Sequence, residues 1–334
     1  MNLKDILAPV SHEMGQLENY MVEYLLTPNE PTNDIIRHIF ASGGKRVRPA
    51  LFFTVAQAIG YKGENLYPIA AVCEYIHTAS LLHDDVIDDS TLRRGRKTTN
   101  SIWGDASAVL SGDLIYSAAC RLMVKTGSLP LIDTFAECIR YMSESELFQL
   151  ELLWNVNVTR EQYEKVIEGK TACLFAASCE TPLFLSPEFK EDRVLQHAFQ
   201  QYGTHLGYAF QLADDLLDYT SDKSTLGKPT LADLKEGKST LPILLGSSQD
   251  NVAGKELEIL SKQILDSAET TEEMEEKLLE LVEASGGLKL ATQEAMNRAE
   301  KAIQSLEVAK KQLKNTEPIE KLESLAMFVV ERNK

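Results

Sequence analysis

The sequence predicts an all-α fold, a single large bundle of long antiparallel helices around an elongated core. Three observations predict it. Apolar residues recur at steps of three and four along nearly every long segment, and no alternating pattern of strand length competes. Gly 18 and Pro 11 among 334 residues leave too few turn formers for a many-stranded sandwich. The 44% hydrophobic content supplies a sizeable core.

The elements follow in order. Leu3, Leu7, Val10, Met14, Leu17, Met21 and Tyr24 mark one face of a single N-terminal helix. Thr27-Pro28-Asn29-Glu30-Pro31 separates it from the next, which Gly43-Gly44 closes. Pro49 suits the first turn of another helix. A break over Gly60 to Gly63 precedes the long apolar run Leu66 to Ile87. Further breaks fall at Gly95, Gly127 to Pro130, Asn155 to Val158, Ser186-Pro187 and Gly246 to Asn251. Near the end, Ala295, Ala299, Ala302, Leu306, Ala309 and Leu313 share one helical face. No shift in composition marks a boundary, so one domain is expected over residues 1–334.

Fifty acids against 34 bases give a net charge of −16, which excludes nonspecific nucleic-acid binding. The charge is uneven: residues 1–100 carry ten bases against twelve acids, so a site for an anion fits there. The N-terminus has no basic stretch followed by an apolar one, and no run approaches 18 apolar residues. Neither a signal peptide nor a transmembrane segment is expected, and a cytoplasmic location follows. Cys73, Cys120, Cys138, Cys173 and Cys179 are scattered among apolar neighbours without a CxxC, which predicts reduced core thiols.

The sharpest motif is Asp84-Asp85-Val86-Ile87-Asp88, which recurs 130 residues on as Asp214-Asp215-Leu216-Leu217-Asp218. Each DDxxD ends an apolar helical run. Positions i and i+4 share a helical face, so Asp84 stacks over Asp88 and Asp214 over Asp218. Carboxylates held that close repel unless a cation lies between them. An oxygen-only donor set favours a hard divalent ion, above all Mg²⁺, whose open positions phosphate oxygens fill. Two solvated acidic helix ends are the bland alternative, and the repetition in apolar context argues against it.

The bases supply the complementary half. Gly43-Gly44-Lys45-Arg46-Val47-Arg48-Pro49 sets three cations beside a turn that opens a helix. Arg93-Arg94-Gly95-Arg96-Lys97 begins five residues after Asp88, and Gly169-Lys170-Thr171 lies further on. Gly227-Lys228-Pro229 and Gly237-Lys238-Ser239-Thr240 follow the second cluster. A lone base is ordinarily a solvated surface residue. Bases at short distances from both clusters point to a diphosphate clamp, with arginine forks matching phosphate oxygens and lysines acting as point charges. His77, seven residues before Asp84, lies two turns earlier on the same stripe.

From GGKRVRP through HTASLLHDDVIDDSTLRRGR, GKTA and GYAFQLADDLLDY to LGKPTLADLKEGKSTLP, the chain resembles the trans-isoprenyl diphosphate synthases, or polyprenyl synthetases. The resemblance covers almost the whole chain and implies the isoprenoid synthase type I fold, helices around a central elongated cavity. It implies Mg²⁺, several ions per site, and repeated head-to-tail addition of isopentenyl diphosphate to an allylic diphosphate such as farnesyl or geranylgeranyl diphosphate. Asp84, Asp88 and Asp214 would ligate the metal directly, with Asp85, Asp215 and Asp218 holding metal-bound water or supporting positions. Arg93, Lys170 and Lys228 would grip the allylic diphosphate. Lys45, Arg48, His77 and Arg94 would bind isopentenyl diphosphate. Thr171 and Gln211 would sit beside the developing carbocation, and Lys238 matches a further family lysine near the second cluster. A homodimer is expected, with a small partner subunit as the alternative.

Product length is a question of cavity depth. In this family, bulk at the fourth and fifth positions before the first aspartate goes with short products. Here those positions are Ser80 and Ala79, above Ile76 and Cys73, and the first cluster lacks the two-residue insertion of bacterial farnesyl synthases. A long product of roughly six to ten prenyl units is expected, with an aliphatic tunnel as the ruler. Met123, Phe148 and Leu150 are candidates for its floor, each also readable as ordinary core. Quinone side chains are the expected end use. The rivals are a geranylgeranyl or farnesyl diphosphate synthase, the catalytic half of a heterodimer, and a class I terpene cyclase. The second DDxxD and GGKRVRP argue against the cyclase.

Overall fold

A computed structural model describes residues 2–220 and 231–331. Among these the chain is helical throughout, apart from one hairpin of two-residue strands. The helices used below are α1 (Leu3–Ile6), α2 (Ser11–Leu25), α3 (Glu30–Ala41), α4 (Val47–Ala58), α5 (Leu66–Ile87), α6 (Thr99–Trp103), α7 (Asp105–Lys125), α8 (Leu129–Leu152), α9 (Arg160–Ile167), α10 (Cys173–Leu185) and α11 (Arg193–Thr220). The hairpin pairs β1 (Leu92–Arg93) with β2 (Arg96–Lys97).

The α5 helix occupies the whole apolar run that the sequence marks out. Three details differ from the periodicity. The N-terminal face is split between α1, a 3₁₀ turn over Ala8–Val10 and α2, because Pro9 lacks the amide a continuous helix needs. Val10, Leu17 and Met21 nevertheless stay buried on one side. The C-terminal face is likewise divided between helices Gly287–Ser305 and Glu307–Gln312, with every alanine and leucine of the pattern buried. The break at Gly95 is a tight β-turn: Arg94 and Gly95 both adopt positive φ, +52° and +74°, as a two-residue hairpin of this hand requires. All five cysteines are free, but only Cys73, Cys138 and Cys179 are core thiols: Cys173 is half-buried, and Cys120 is exposed on the outer side of α7.

The chain divides into two compact units. The first comprises Met1–Ile139, Leu174–Gln200 and Leu306–Leu322. Its centre is α5, which packs along α7, α4 and α2 and is apolar on nearly all sides. Such all-round apolarity marks a central helix, not one covering a surface. The α7 helix has the length and mean hydropathy of a membrane span, but it carries Asp105, Asp113, Arg121 and Lys125 and lies against α5. The second unit comprises Arg140–Cys173, Gln201–Ser305 and Glu323–Lys334. Its apolar cluster includes Tyr219, Leu231, Leu234, Ile243, Leu257, Ile264 and Leu278.

Candidate active site

In the first unit the last turn of α5 carries Asp84 and Asp85, and Asp88 caps the helix, its amide bonded to the Asp84 carbonyl at 2.8 Å. A turn of 100° per residue sends the second aspartate away from its neighbours, and Asp85 is buried. Arg93 of β1 answers it: Nε and Nη2 both lie 2.8 Å from Asp85 Oδ1. Asn100 donates to the Asp85 carbonyl at 3.1 Å, tying the helix end to α6. A two-residue turn thus returns the basic RRGRK segment to the aspartates it follows in sequence.

The loop before α4 meets the same region. Arg94 donates from Nη1 to the Gly43 carbonyl, and a Cβ on Gly44 would lie 2.6 Å from that nitrogen. Lys45 is exposed, and the Arg48 guanidinium stacks 4.7 Å from the Phe175 ring centroid. His77 is held well below its ordinary imidazole range, first by burial and then by Arg48, Arg94, Arg93 and Arg46. A neutral ring among arginines is the state that accepts a hydrogen bond. A cavity in this unit is lined by His38, Gly43, Glu74, Asp85, Arg93 and Arg94 among others. Ile76 and Ala79 are completely buried, and half-buried Ser80 donates to the His77 carbonyl at 2.9 Å.

In the second unit α9 opens with a Thr159/Gln162 capping box and runs into a π-helical turn over Glu168–Ala172. The wide turn holds Lys170 and Thr171, a placement frequent at functional sites. Gly169 permits it, since a Cβ there would overlap Ser145 Oγ. Lys170 Nζ reaches Gln149 at 2.8 Å and Glu146 at 2.7 Å, both on α8. Thr171 donates to Gln211 Oε1 at 2.9 Å, and Gln211 Nε2 donates to Asp215 Oδ1 at 2.9 Å. Tyr163 donates to the other Asp215 oxygen. Burial, reinforced by Asp233, pushes the Asp215 carboxyl up to about 8, although those two hydrogen bonds pull it down. Asp218 accepts from the amides of Ala232 and Asp233 at 2.9 and 3.1 Å, capping the short helix Ala232–Lys235. Lys238 pairs with Glu236 at 2.6 Å.

Each unit therefore gathers its own share of the expected residues: Asp84, Asp85, Asp88, His77, Arg48, Arg93 and Arg94 in one, Asp214, Asp215, Asp218, Lys170, Thr171, Gln211 and Lys238 in the other. Lys228 lies outside the described residues. Of the suggested tunnel-floor residues Met123 is buried, Phe148 is half-buried and Leu150 is exposed, so Leu150 is not core. Sequence reasoning missed Arg46 with Glu74, Tyr163, and the α8 partners of Lys170. Only Glu74 left a signal, a lone charge inside an apolar helix.

Comparisons with known proteins place the chain in a family. The family profile described as Polyprenyl synthetase matches residues 29–282. The chain is 37% identical over 334 residues to the octaprenyl diphosphate synthase of Escherichia coli (strain K12), covering all of both chains. It is 34% identical over 308 residues to the all-trans-nonaprenyl-diphosphate synthase (geranyl-diphosphate specific) of Rhodobacter capsulatus, covering 91% of each. A crystal structure of a polyprenyl synthase from Caulobacter crescentus CB15, complexed with calcium and isoprenyl diphosphate, superposes with a TM-score of 0.89 at 34% identity. That match covers 100% of this chain and 98% of the other. The chain is a prenyltransferase and belongs to the polyprenyl synthetase family.

Proposed function

We propose that the chain adds isopentenyl diphosphate repeatedly, head to tail, to an allylic diphosphate primer, giving an all-trans product of roughly six to ten prenyl units. The observation that carries this reading is the pair of DDxxD motifs, each fixed by its own hydrogen-bond network beside its own cations. The octaprenyl and nonaprenyl synthases among its relatives and the small Ala79 and Ser80 support the product range.

The donor chemistry fits Mg²⁺. Every candidate ligand is a carboxylate oxygen, and among the described residues no three His, Cys, Asp or Glu side chains converge to hold a metal alone. Mg²⁺ characteristically takes one or two carboxylates and fills the rest of its shell with water and substrate phosphate oxygens. Asp84, Asp88 and Asp214 would hold it, and when bound it neutralises charge on the departing diphosphate.

The chain's own groups do the rest. Arg93 and Lys170, with Lys228, bind the allylic diphosphate and stabilise the charge that grows as its C–O bond breaks. Lys45, Arg48, Arg94 and neutral His77 bind isopentenyl diphosphate so that its double bond faces the allylic carbon. Thr171 and Gln211, already bonded to each other, would sit beside the delocalised cation. Apolar walls keep that cation from water. Ala79, Ser80 and Ile76 line the tunnel beneath the first cluster. The two units work as one catalytic domain, which the family match across both supports. The protein acts as a homodimer in the cytoplasm, and its product serves as a quinone side chain.

Purified chain, given isopentenyl and farnesyl diphosphates, is expected to turn over with Mg²⁺, stop with chelator and recover when Mg²⁺ returns. Turnover that appears only with an added small subunit would replace the homodimer with a heterodimer. Turnover indifferent to chelation would overturn the metal assignment.

A further inference from the structure

GGKRVRP offers three cations, and one of them does not face outward. Arg46 is buried, whereas its neighbour Lys45 is exposed. Its Nη1 lies 2.6 Å from Glu74 Oε1, Nε lies 2.8 Å from Glu18 Oε1, and Nη2 lies 3.3 Å from Glu18 Oε2. Glu74 is itself buried, on α5 one turn before His77 and inside an otherwise apolar stretch. Arg46 also adopts φ +45° and ψ +39°, a left-handed conformation that costs energy in any residue with a Cβ. It does so at the residue before α4, where its carbonyl accepts the amide of Ala50 at 3.1 Å.

A strained, buried arginine needs compensation from its surroundings, and the two carboxylates supply it. The fork fixes the backbone between Lys45 and Arg48, and it ties that loop to the helix that carries His77 and Asp84. Glu74 in turn needs the arginine, because an unpaired buried carboxylate destabilises the fold.

We infer that Arg46, clamped between Glu74 and Glu18, is a positioning residue that sets Lys45 and Arg48 for isopentenyl diphosphate without touching it. The inference rests on the isopentenyl-diphosphate role proposed above for Lys45 and Arg48. It predicts a selective effect: the loop serves one of the two substrates, so only that substrate's KM should move.

The test is steady-state kinetics with each substrate varied in turn, alongside thermal melts, for Arg46→Met, Arg46→Lys, Glu74→Gln and the double variant Arg46→Met/Glu74→Gln. Arg46→Met is expected to raise KM for isopentenyl diphosphate at least about tenfold, leaving kcat and the allylic KM within about twofold. Arg46→Lys, which keeps the charge but not the fork, should fall between. The double variant removes the stranded carboxylate, so its melting temperature should recover while its KM stays as high as that of Arg46→Met.

Recovery of KM together with stability would reduce Arg46 to a purely structural role and overturn the inference. So would equal rises in both KM values, or an unchanged KM in a folded variant. If Arg46→Met does not fold, the same criteria apply to Arg46→Lys, Glu74→Gln and the double variant. Absence of turnover in the unsubstituted chain would instead refute the prenyl-transfer reading.

Discussion

The two DDxxD motifs are alike in sequence and differ in what holds them. At the end of α5, buried Asp85 is answered by a cation, Arg93, from the adjoining hairpin. In α11, buried Asp215 is answered by neutral donors, Tyr163 and Gln211, with Asp233 adding negative charge nearby. The fifth residues differ too. Asp88 ends its helix, whereas Asp218 lies inside α11 and uses both oxygens to cap the short helix Ala232–Lys235. The half-buried first aspartate is therefore what the two motifs share. The second aspartate of each is an anchor whose partner is set by the local fold.

Removing the shared element should have the largest effect. Asp84→Ala and Asp214→Ala are each expected to reduce turnover by several orders of magnitude with melting temperatures little changed. A variant of either that keeps near-normal turnover would break the symmetry between the motifs. Next in size, Ala79→Tyr, placed five residues before the first motif, should shorten the product by filling the space beneath it with a phenol ring. An unchanged product distribution would remove Ala79 from the tunnel wall.

The anchors should separate the two regions by stability. Asp85→Asn strips a buried partner from Arg93 and is expected to cost about 1–3 kcal/mol. Asp215→Asn replaces a carboxyl whose charge is already disfavoured and should cost under about 1 kcal/mol, read from melts in chelator. The reverse order would contradict the assignment of a charged anchor to one motif and a neutral one to the other.

The smallest effect is on pH dependence, and its sign differs between the regions. The folded-state pKa of His77 lies below its ordinary 6.5, so the unfolded chain takes the proton first. Stability contributed there is present above 6.5 and is lost as pH falls. Asp215, raised from 3.8 to about 8 in metal-free protein, binds its proton more tightly when folded. Its contribution is present below 3.8 and is lost as pH rises toward 8. Metal-free melts should show His77→Gln flattening the loss of stability as pH falls below 6.5, and Asp215→Asn flattening the loss as pH rises from 3.8 toward 8. An exchange of these effects would refute both assignments.

How far the sequence is legible follows from the range of each interaction. The helical periods and the two DDxxD motifs depend on spacing within one or two turns, and both are read directly. The hairpin that returns Arg93 to Asp85 is signalled only by Gly95, because Arg94 takes a left-handed conformation more usual for glycine or asparagine. Tyr163 meets Asp215 across 52 residues, and Arg46 meets Glu18 and Glu74 each 28 residues away. No local pattern encodes such pairings. Arg46 even misleads, since in a row of three cations it reads as a third phosphate ligand.

The central claim is that an aspartate-lined prenyltransferase with small residues beneath its first motif builds a long chain. Its most direct test is the length of the product formed by the purified chain from farnesyl diphosphate, isopentenyl diphosphate and Mg²⁺, resolved by chromatography after dephosphorylation. A dominant all-trans product within roughly six to ten prenyl units is expected. A product that stops at four units, with isopentenyl diphosphate still in excess, would contradict it.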